Sequence, residues 1–268
     1  MPFSEFSAAL DAAITPIGVF FRDDDAGWED ERLLTLLDVF DEQRAPIDLA
    51  VIPQALTREL ALDLCVRRAR ARDRLGLHQH GYAHTNHETT GRKCEFGPAR
   101  AAEQQAQDVM VGQLRLRALL GVIDPIFTPP WNRCTQATVE AVQMSGLKVL
   151  SRDAGAAALE LGGLRDCPVH VDWCKWTNTP TPDWAMLDQQ LALAVKQGEP
   201  GGDRNVAADG ANTLGVMLHH AVMVDADWQM LRKLLALLHQ HPRVRLNLMR
   251  ELVSTRRRAE AAQAALHV

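Results

Sequence analysis

Phe20-Phe21-Arg22-Asp23-Asp24-Asp25-Ala26-Gly27 is the stretch on which the fold turns. It closes an apolar run that begins at Ile17, and residues 17–22 read as a buried strand. Three adjacent carboxylates follow at once. They repel one another, and beside a core strand they also lose hydration, so the arrangement is costly by itself. A bound cation would offset that cost. The duller alternative is a polar loop that merely leaves a strand. Histidines at later strand ends weigh for the cation.

Outward from this stretch, strand and helix patterns alternate. Residues 29–41 read as a helix with Leu33, Leu34, Leu37 and Phe40 on one face. Residues 46–52 read as a strand, 57–71 as an Arg-rich helix and 75–80 as a third strand. Residues 81–97 form a polar loop, long enough to expect a functional role at a substrate cleft. A helix over 98–120 starts near Pro98 and stops at Gly121. A short strand over 126–128, a helix over 135–145 and strands over 147–151 and 169–172 follow. Then come a helix over 183–197, a Gly- and Asp-rich loop expected to be mobile over 198–212, and a strand over 214–219. A helix over 225–239, a strand over 244–247 and a helix from Leu248 complete the chain. Regular alternation of this kind predicts a parallel sheet. Seven or eight such units with no break in composition predict an α/β barrel, one domain over 1–268. Chemistry in such barrels sits at the C-terminal ends of the strands. Asp24, Asp25, His80, Trp131, Asp172 and His219 all fall at or just after such ends.

Composition narrows the function classes. The 268 residues are 47% hydrophobic, enough for a sizeable core. A net charge of -5 offers no basic surface, so nucleic acid is not an expected partner. The five cysteines are odd in number and form no CxxC pair, which predicts reduced thiols. Residues 1–15 hold Glu5 and Asp11 but no Lys or Arg, unlike a signal peptide. No apolar run approaches the roughly 20 residues of a membrane span. A cytoplasmic protein is the expectation. With one Tyr and 5% aromatics, no long polymer-binding groove is indicated.

The densest ligand cluster is His78-Gln79-His80-Gly81-Tyr82-Ala83-His84. His80 and His84, four apart, share a face on a helical turn, and a turn at Gly81 would also converge them. Two imidazoles and a carboxylate suit zinc, iron, cobalt or nickel and leave positions open for substrate. Loop histidines that are simply solvated are the competing reading for one HxxxH pair. His78, one pleat below His80, reads as a packing or supporting residue.

At this point the sequence resembles the polysaccharide deacetylases, the NodB-homology or carbohydrate esterase 4 group. Arg22-Asp23-Asp24-Asp25 resembles that family's first motif, and His80-Gly81-Tyr82-Ala83-His84 is similar to its second. Phe127-Thr128-Pro129-Pro130-Trp131-Asn132, Asp172-Trp173 and Leu218-His219 resemble the third, fourth and fifth, in order. The resemblance implies a distorted (β/α) barrel with about seven parallel strands. It also implies a divalent metal ion, zinc for choice, on Asp25, His80 and His84, with Asp24 as catalytic base. His219 would be the acid, Asp172 its partner and Trp131 the residue whose backbone N–H supports the oxyanion. The implied activity is hydrolysis of an N-acetyl group on an amino sugar.

Three departures stand out. Thr128 occupies the place of the family's base-orienting Arg, which leaves Arg22 or Arg133 to serve, with Arg133 counted in the catalytic set. His220 follows the acid where the family has Asp. Three aspartates stand where two are expected, so Asp23 and Asp24 form an alternative register to Asp24 and Asp25. A sugar N-deformylase or other metallo-amidohydrolase, and a non-catalytic sugar-binding relative, stay open beside the deacetylase reading.

Overall fold

The computed structural model describes residues 2–71, 73–198 and 212–252 of the chain. Its strands are β1 (Ile17–Ala26), β2 (Ile47–Val51), β3 (Leu75–His80), β4 (Ile126–Thr128), β5 (Val149–Leu150), β6 (Arg165–Asp166), β7 (Val171–Asp172), β8 (Asn212–Leu218) and β9 (Val244–Leu246). Its helices are α1 (Ser4–Ala12), α2 (Asp30–Glu42), α3 (Arg58–Arg70), α4 (Ala102–Leu120), α5 (Gln136–Met144), α6 (Cys174–Thr177), α7 (Trp184–Gly198) and α8 (Asp225–Gln240). The paired strands are all parallel, in the order β6-β5-β4-β3-β2-β1-β8-β7.

The two ends of that path belong to one extended segment, 165–172. Its first half donates to β5 and the residues beyond it, Arg165 N–H to the Lys148 carbonyl and Cys167 N–H to that of Leu150. Its second half turns to β8, His170 N–H bonding the Gly215 carbonyl and Trp173 N–H that of Met217. Counting β6 and β7 as one stave gives seven around the sheet, as the family resemblance implies. The distortion comes from β9, which runs beside the first half of β1, from Ile17↔Val244 to Val19↔Leu246. The second half of β1 pairs with β2 instead, from Arg22↔Asp48.

Period-two alternation sorts each strand. Val19 and Phe21 of β1 face the helix layer, where the Phe21 ring meets that of Phe40 on α2 edge-on at 5.3 Å. Phe20 faces inward and packs with Ile126, Val149, Cys167, Met217 and Met249. Gly215 gives Phe20 its room, since a Cβ there would collide with the ring. The large interior side chains thus sit against a small one, as a narrow barrel requires.

Several elements differ from the sequence reading. Strand β1 runs to Ala26, so the three aspartates lie in the strand instead of after it. Helix α4 begins at Ala102, not near Pro98, because Gln105 Nε2 donates to the carbonyls of Gly97 and Arg100 and holds that segment as a turn. Helix α1 was not anticipated; its first amides, Glu5 and Phe6 N–H, donate to the Asp188 carboxylate of α7. Most of the loop expected over 198–212, and the chain beyond residue 252, lie outside the described residues.

Candidate active site

Two adjacent strand residues normally point to opposite faces. At the end of β1 that rule is broken by a bulge. The register to β2 shifts between Asp23 and Ala26, and Asp25 adopts a left-handed φ of 72°. Asp24 stays on the interior face, and Asp25 swings to the same end of the barrel. Asp23, on the odd positions, faces the helix layer. The three carboxylates are thereby separated into three environments.

Asp25 Oδ1 lies 3.2 Å from His80 Nε2 and 3.1 Å from His84 Nε2. His80 ends β3 on the inner face, and its Nδ1 donates to the Thr128 carbonyl at 3.0 Å. That bond turns Nε2 toward Asp25. His84 reaches the same point because Gly81 (φ 51°) turns the chain out of the strand and His84 itself is left-handed (φ 54°). The His84 ring sits between Trp28 and Trp131, at 4.7 and 4.3 Å between centroids. The positive φ at Asp25 and His84 is costly for non-glycine residues, by about 1–3 kcal/mol each, and such strain concentrates at functional sites.

The donor set fits a divalent ion. One carboxylate oxygen and two imidazole nitrogens lie within 4.8 Å of one another. Donors around an ion with bonds of about 2.1 Å stand roughly 3 Å apart, close to the spacing found here. Burial would raise the Asp25 pKa, but the hydrogen bonds and positive charge of His80 and His84 outweigh it and hold the carboxyl well below its usual range. Burial would lower that of His80, and Asp25 and Asp24 push it up. A cation among the three donors would supply the positive charge that Asp25 calls for.

Asp24 is oriented by Arg22, two residues earlier on the same face of β1. Arg22 Nε donates to Asp24 Oδ1 at 2.8 Å and Nη2 to Oδ2 at 2.9 Å. The guanidinium is fully buried and also donates to Ser151 Oγ at 2.8 Å and Asn132 Oδ1 at 2.7 Å. Burial would raise the Asp24 pKa; Arg22, and then His80 and His219, bring it below the usual carboxylate value. Arg133 is not part of this assembly. Its Nη1 donates to the Lys93 carbonyl at 2.8 Å, on the outside of the loop. The arginine that holds Asp24 is Arg22, which corrects the inclusion of Arg133 in the catalytic set. The physical reason is the pleat: positions 22 and 24 share a face, whereas Arg133 follows a turn that carries it outward.

Asp172 Oδ1 and His219 Nδ1 lie 4.0 Å apart across the β7–β8 edge, an ion-pair distance and not a hydrogen bond. Burial raises the Asp172 pKa, with His219 pulling the other way. Cys174 lies beside this pair, but its thiol donates to the His219 carbonyl at 3.7 Å and burial pushes its pKa up, so it stays neutral. Cys134, pushed up to about 12 by burial, is likewise inert. None of the five cysteines forms a disulfide.

Asp23 meets His220, the residue that departs from the family pattern. His220 Nδ1 is 2.6 Å from Asp23 Oδ2, and the His220 amide donates to Asp23 Oδ1 at 2.9 Å. The Nε2–H of His220 donates to the Trp28 carbonyl at 2.7 Å. Burial would lower the His220 pKa, but the Asp23 charge and these bonds push it up to about 9. This buried pair ties β1 to β8 and anchors the Trp28 turn that backs His84. His78 is a neutral supporting residue. Its Nε2 pairs with Thr128 Oγ1 at 2.9 Å, and burial, with Arg22 nearby, pushes it down to about 3.

No family model and no curated protein matches the chain. Solved structures do. A Mycobacterium smegmatis protein provisionally named a polysaccharide deacetylase is 16% identical, with a TM-score of 0.62 and 95% of each chain covered. A polysaccharide deacetylase from Bacillus cereus is 12% identical, with a TM-score of 0.53, over 87% of this chain and 91% of that one. A carbohydrate esterase family 4 pseudoenzyme from Bacillus anthracis is 12% identical, with a TM-score of 0.51, over 86% of this chain and 63% of that one. The chain has the fold of the family 4 polysaccharide deacetylases, as its five motifs imply. Among the described residues, no helix is long and apolar enough to cross a membrane.

Proposed function

We propose that this protein is a metal-dependent hydrolase that removes an N-acetyl group from an amino sugar. The observation that carries the reading is the pairing of a ligand trio, Asp25, His80 and His84, with a separate carboxylate, Asp24, that Arg22 keeps ionised and aimed. Zinc or a similar divalent ion would be held by the trio. Lewis acidity toward the amide carbonyl and the attacking water is what such an ion supplies there.

The remaining steps fall to the chain. Asp24 takes the proton from the attacking water; each oxygen accepts one bond from Arg22 and keeps a lone pair free. Trp131, left-handed at φ 55°, presents its turn to the cleft and is the proposed amide donor to the oxyanion. His219 protonates the departing amine. Asp172, on the Nδ1 side, stabilises the charged ring and leaves Nε2 to act. The substrate is a small N-acetylated sugar, since among the described residues Trp28 and Trp131 are the tryptophans that pack against His84. Five cysteines with no disulfide among them favour a reducing compartment such as the cytoplasm.

Acetate release from a panel of N-acetyl amino sugars by the zinc- or cobalt-loaded protein tests the reading. Asp24→Asn is expected to keep the metal and lose about 10²–10⁴-fold in turnover. His80→Ala with His84→Ala is expected to lose the metal. Full metal content in that double variant, or full turnover in Asp24→Asn, would overturn the assignment.

A further inference from the structure

We propose that Glu95 is a positioning residue for the two histidines, holding the turn between them in place. The inference rests on the metal reading above. Glu95 belongs to the 81–97 loop, expected to border a substrate cleft, yet its side chain is fully buried. Its carboxylate faces the backbone of the turn that links His80 to His84. Oε1 accepts the Ala83 N–H at 2.7 Å and Oε2 the Tyr82 N–H at 3.3 Å. These are the last two amides before His84, whose backbone is left-handed. A buried carboxylate is costly unless its lone pairs are used, so the two amides and the carboxylate stabilise each other only in this geometry.

The rest of the turn is braced from other directions. Gln79 Nε2 donates to the Gly81 carbonyl at 2.9 Å, Gln54 N–H to that of Tyr82 at 2.9 Å, and Gly81 N–H to that of Thr128 at 3.0 Å. Each of these holds residues 81–82. Glu95 holds the 82–83 end, next to the ligand that is strained. At Gly81 a Cβ would collide with Glu95 Oε2 and with the Pro130 ring. The glycine of the HxxxH motif therefore serves two ends: its positive φ turns the chain, and its bare Cα admits the carboxylate.

The loop also explains how Glu95 arrives there. Asn86 Oδ1 accepts the N–H groups of Glu88 and Cys94, and the His87 N–H donates to the Cys94 carbonyl. The loop thus folds back on itself one residue before Glu95 and delivers the carboxylate beneath the turn.

Supporting residues of this kind are worth about 10–100-fold in metal affinity. Zinc and cobalt affinity of the full chain, measured by chelator competition, tests the role. Glu95→Ala is expected to weaken binding by about 10–100-fold and to alter the visible spectrum of the cobalt form. Glu95→Gln keeps an acceptor for Ala83 but turns an NH2 toward the Tyr82 amide, so a smaller loss is expected; it decides the matter if the alanine variant fails to fold. Glu88→Gln is the control, because Glu88 braces the same loop through the Ala99 amide at 3.1 Å without touching the turn. It should leave affinity unchanged. Wild-type binding with no loss in either Glu95 variant overturns this role alone, as does an equal loss in Glu88→Gln. A wild-type chain that binds neither ion overturns this role together with the metal reading.

Discussion

Replacing Arg22 by Met is the most revealing single change. The guanidinium is completely buried and is the cationic partner of Asp24, itself 2% exposed. Methionine fills similar space without charge. It leaves Asp24 as a buried carboxylate without its two-pronged donor, and Asn132 Oδ1 without its 2.7 Å bond. Ser151 Oγ keeps its donation to the Cys167 carbonyl, so the loss centres on Asp24. Breaking one side of a buried pair costs about 3–5 kcal/mol, mostly as the penalty of the charge left behind. At about 2–4 °C per kcal/mol for a chain of this size, the midpoint should drop by about 6–20 °C. Urea denaturation of metal-free protein measures the free-energy loss, and thermal denaturation the midpoint shift, without linkage to metal binding. If Asp24 is the base as proposed, the same variant should lose turnover as severely as Asp24→Asn, because that carboxylate is no longer aimed. The double variant Arg22→Met/Asp24→Asn removes the stranded charge and should recover most of the lost stability. If the two single losses simply add in the double variant, the pair is not coupled and the reasoning fails.

Asp48→Asn should change how stability depends on pH. Burial pushes the Asp48 carboxyl up to about 8, so the folded chain holds a proton that the unfolded chain releases near 4. Stability contributed by that proton is complete below about pH 4 and is lost as pH rises toward 8, a decline that urea midpoints at pH 5 and 8 should show shrinking in the variant. Gly81→Ala should destabilise the protein by about 1–3 kcal/mol and weaken metal binding, from the left-handed φ and the crowding by Glu95 and Pro130; an unchanged melting temperature and metal affinity would contradict this. Deleting Thr89 to Lys93, which are all exposed, should reduce turnover with little loss of global stability, and unchanged activity would reduce this part of the loop to a connector. His219→Ala should slow amide cleavage more than cleavage of an activated ester, whose leaving group needs no proton; equal effects on both substrates would remove His219 from the acid role.

The sequence alone carried the alternation of strands and helices, because period-two and period-3.6 apolar patterns are local properties of the chain. Strands β3 and β4 fall on the residues read from that pattern. It also put Asp25 and His80 at or near strand ends and His84 four residues beyond His80, since spacing and strand termination are visible in one dimension. The pleat even held a signal for Arg22: positions 20, 22 and 24 share a face, and a charged residue in the middle of such a face needs a partner beside it. What the sequence could not determine is which atoms meet across the barrel. The bulge that brings Asp24 and Asp25 to one end depends on the register of β1 against β2. The Asp23–His220 pair joins residues 197 apart, and the Arg22–Ser151 bond joins residues 129 apart. Glu95 reads in the sequence as one more polar loop residue, and only the folded loop turns it beneath the His80–His84 turn. Those contacts arise because a curled, barrel-like sheet has a single interior, and a buried charge there must find its partner among whatever side chains the other strands deliver.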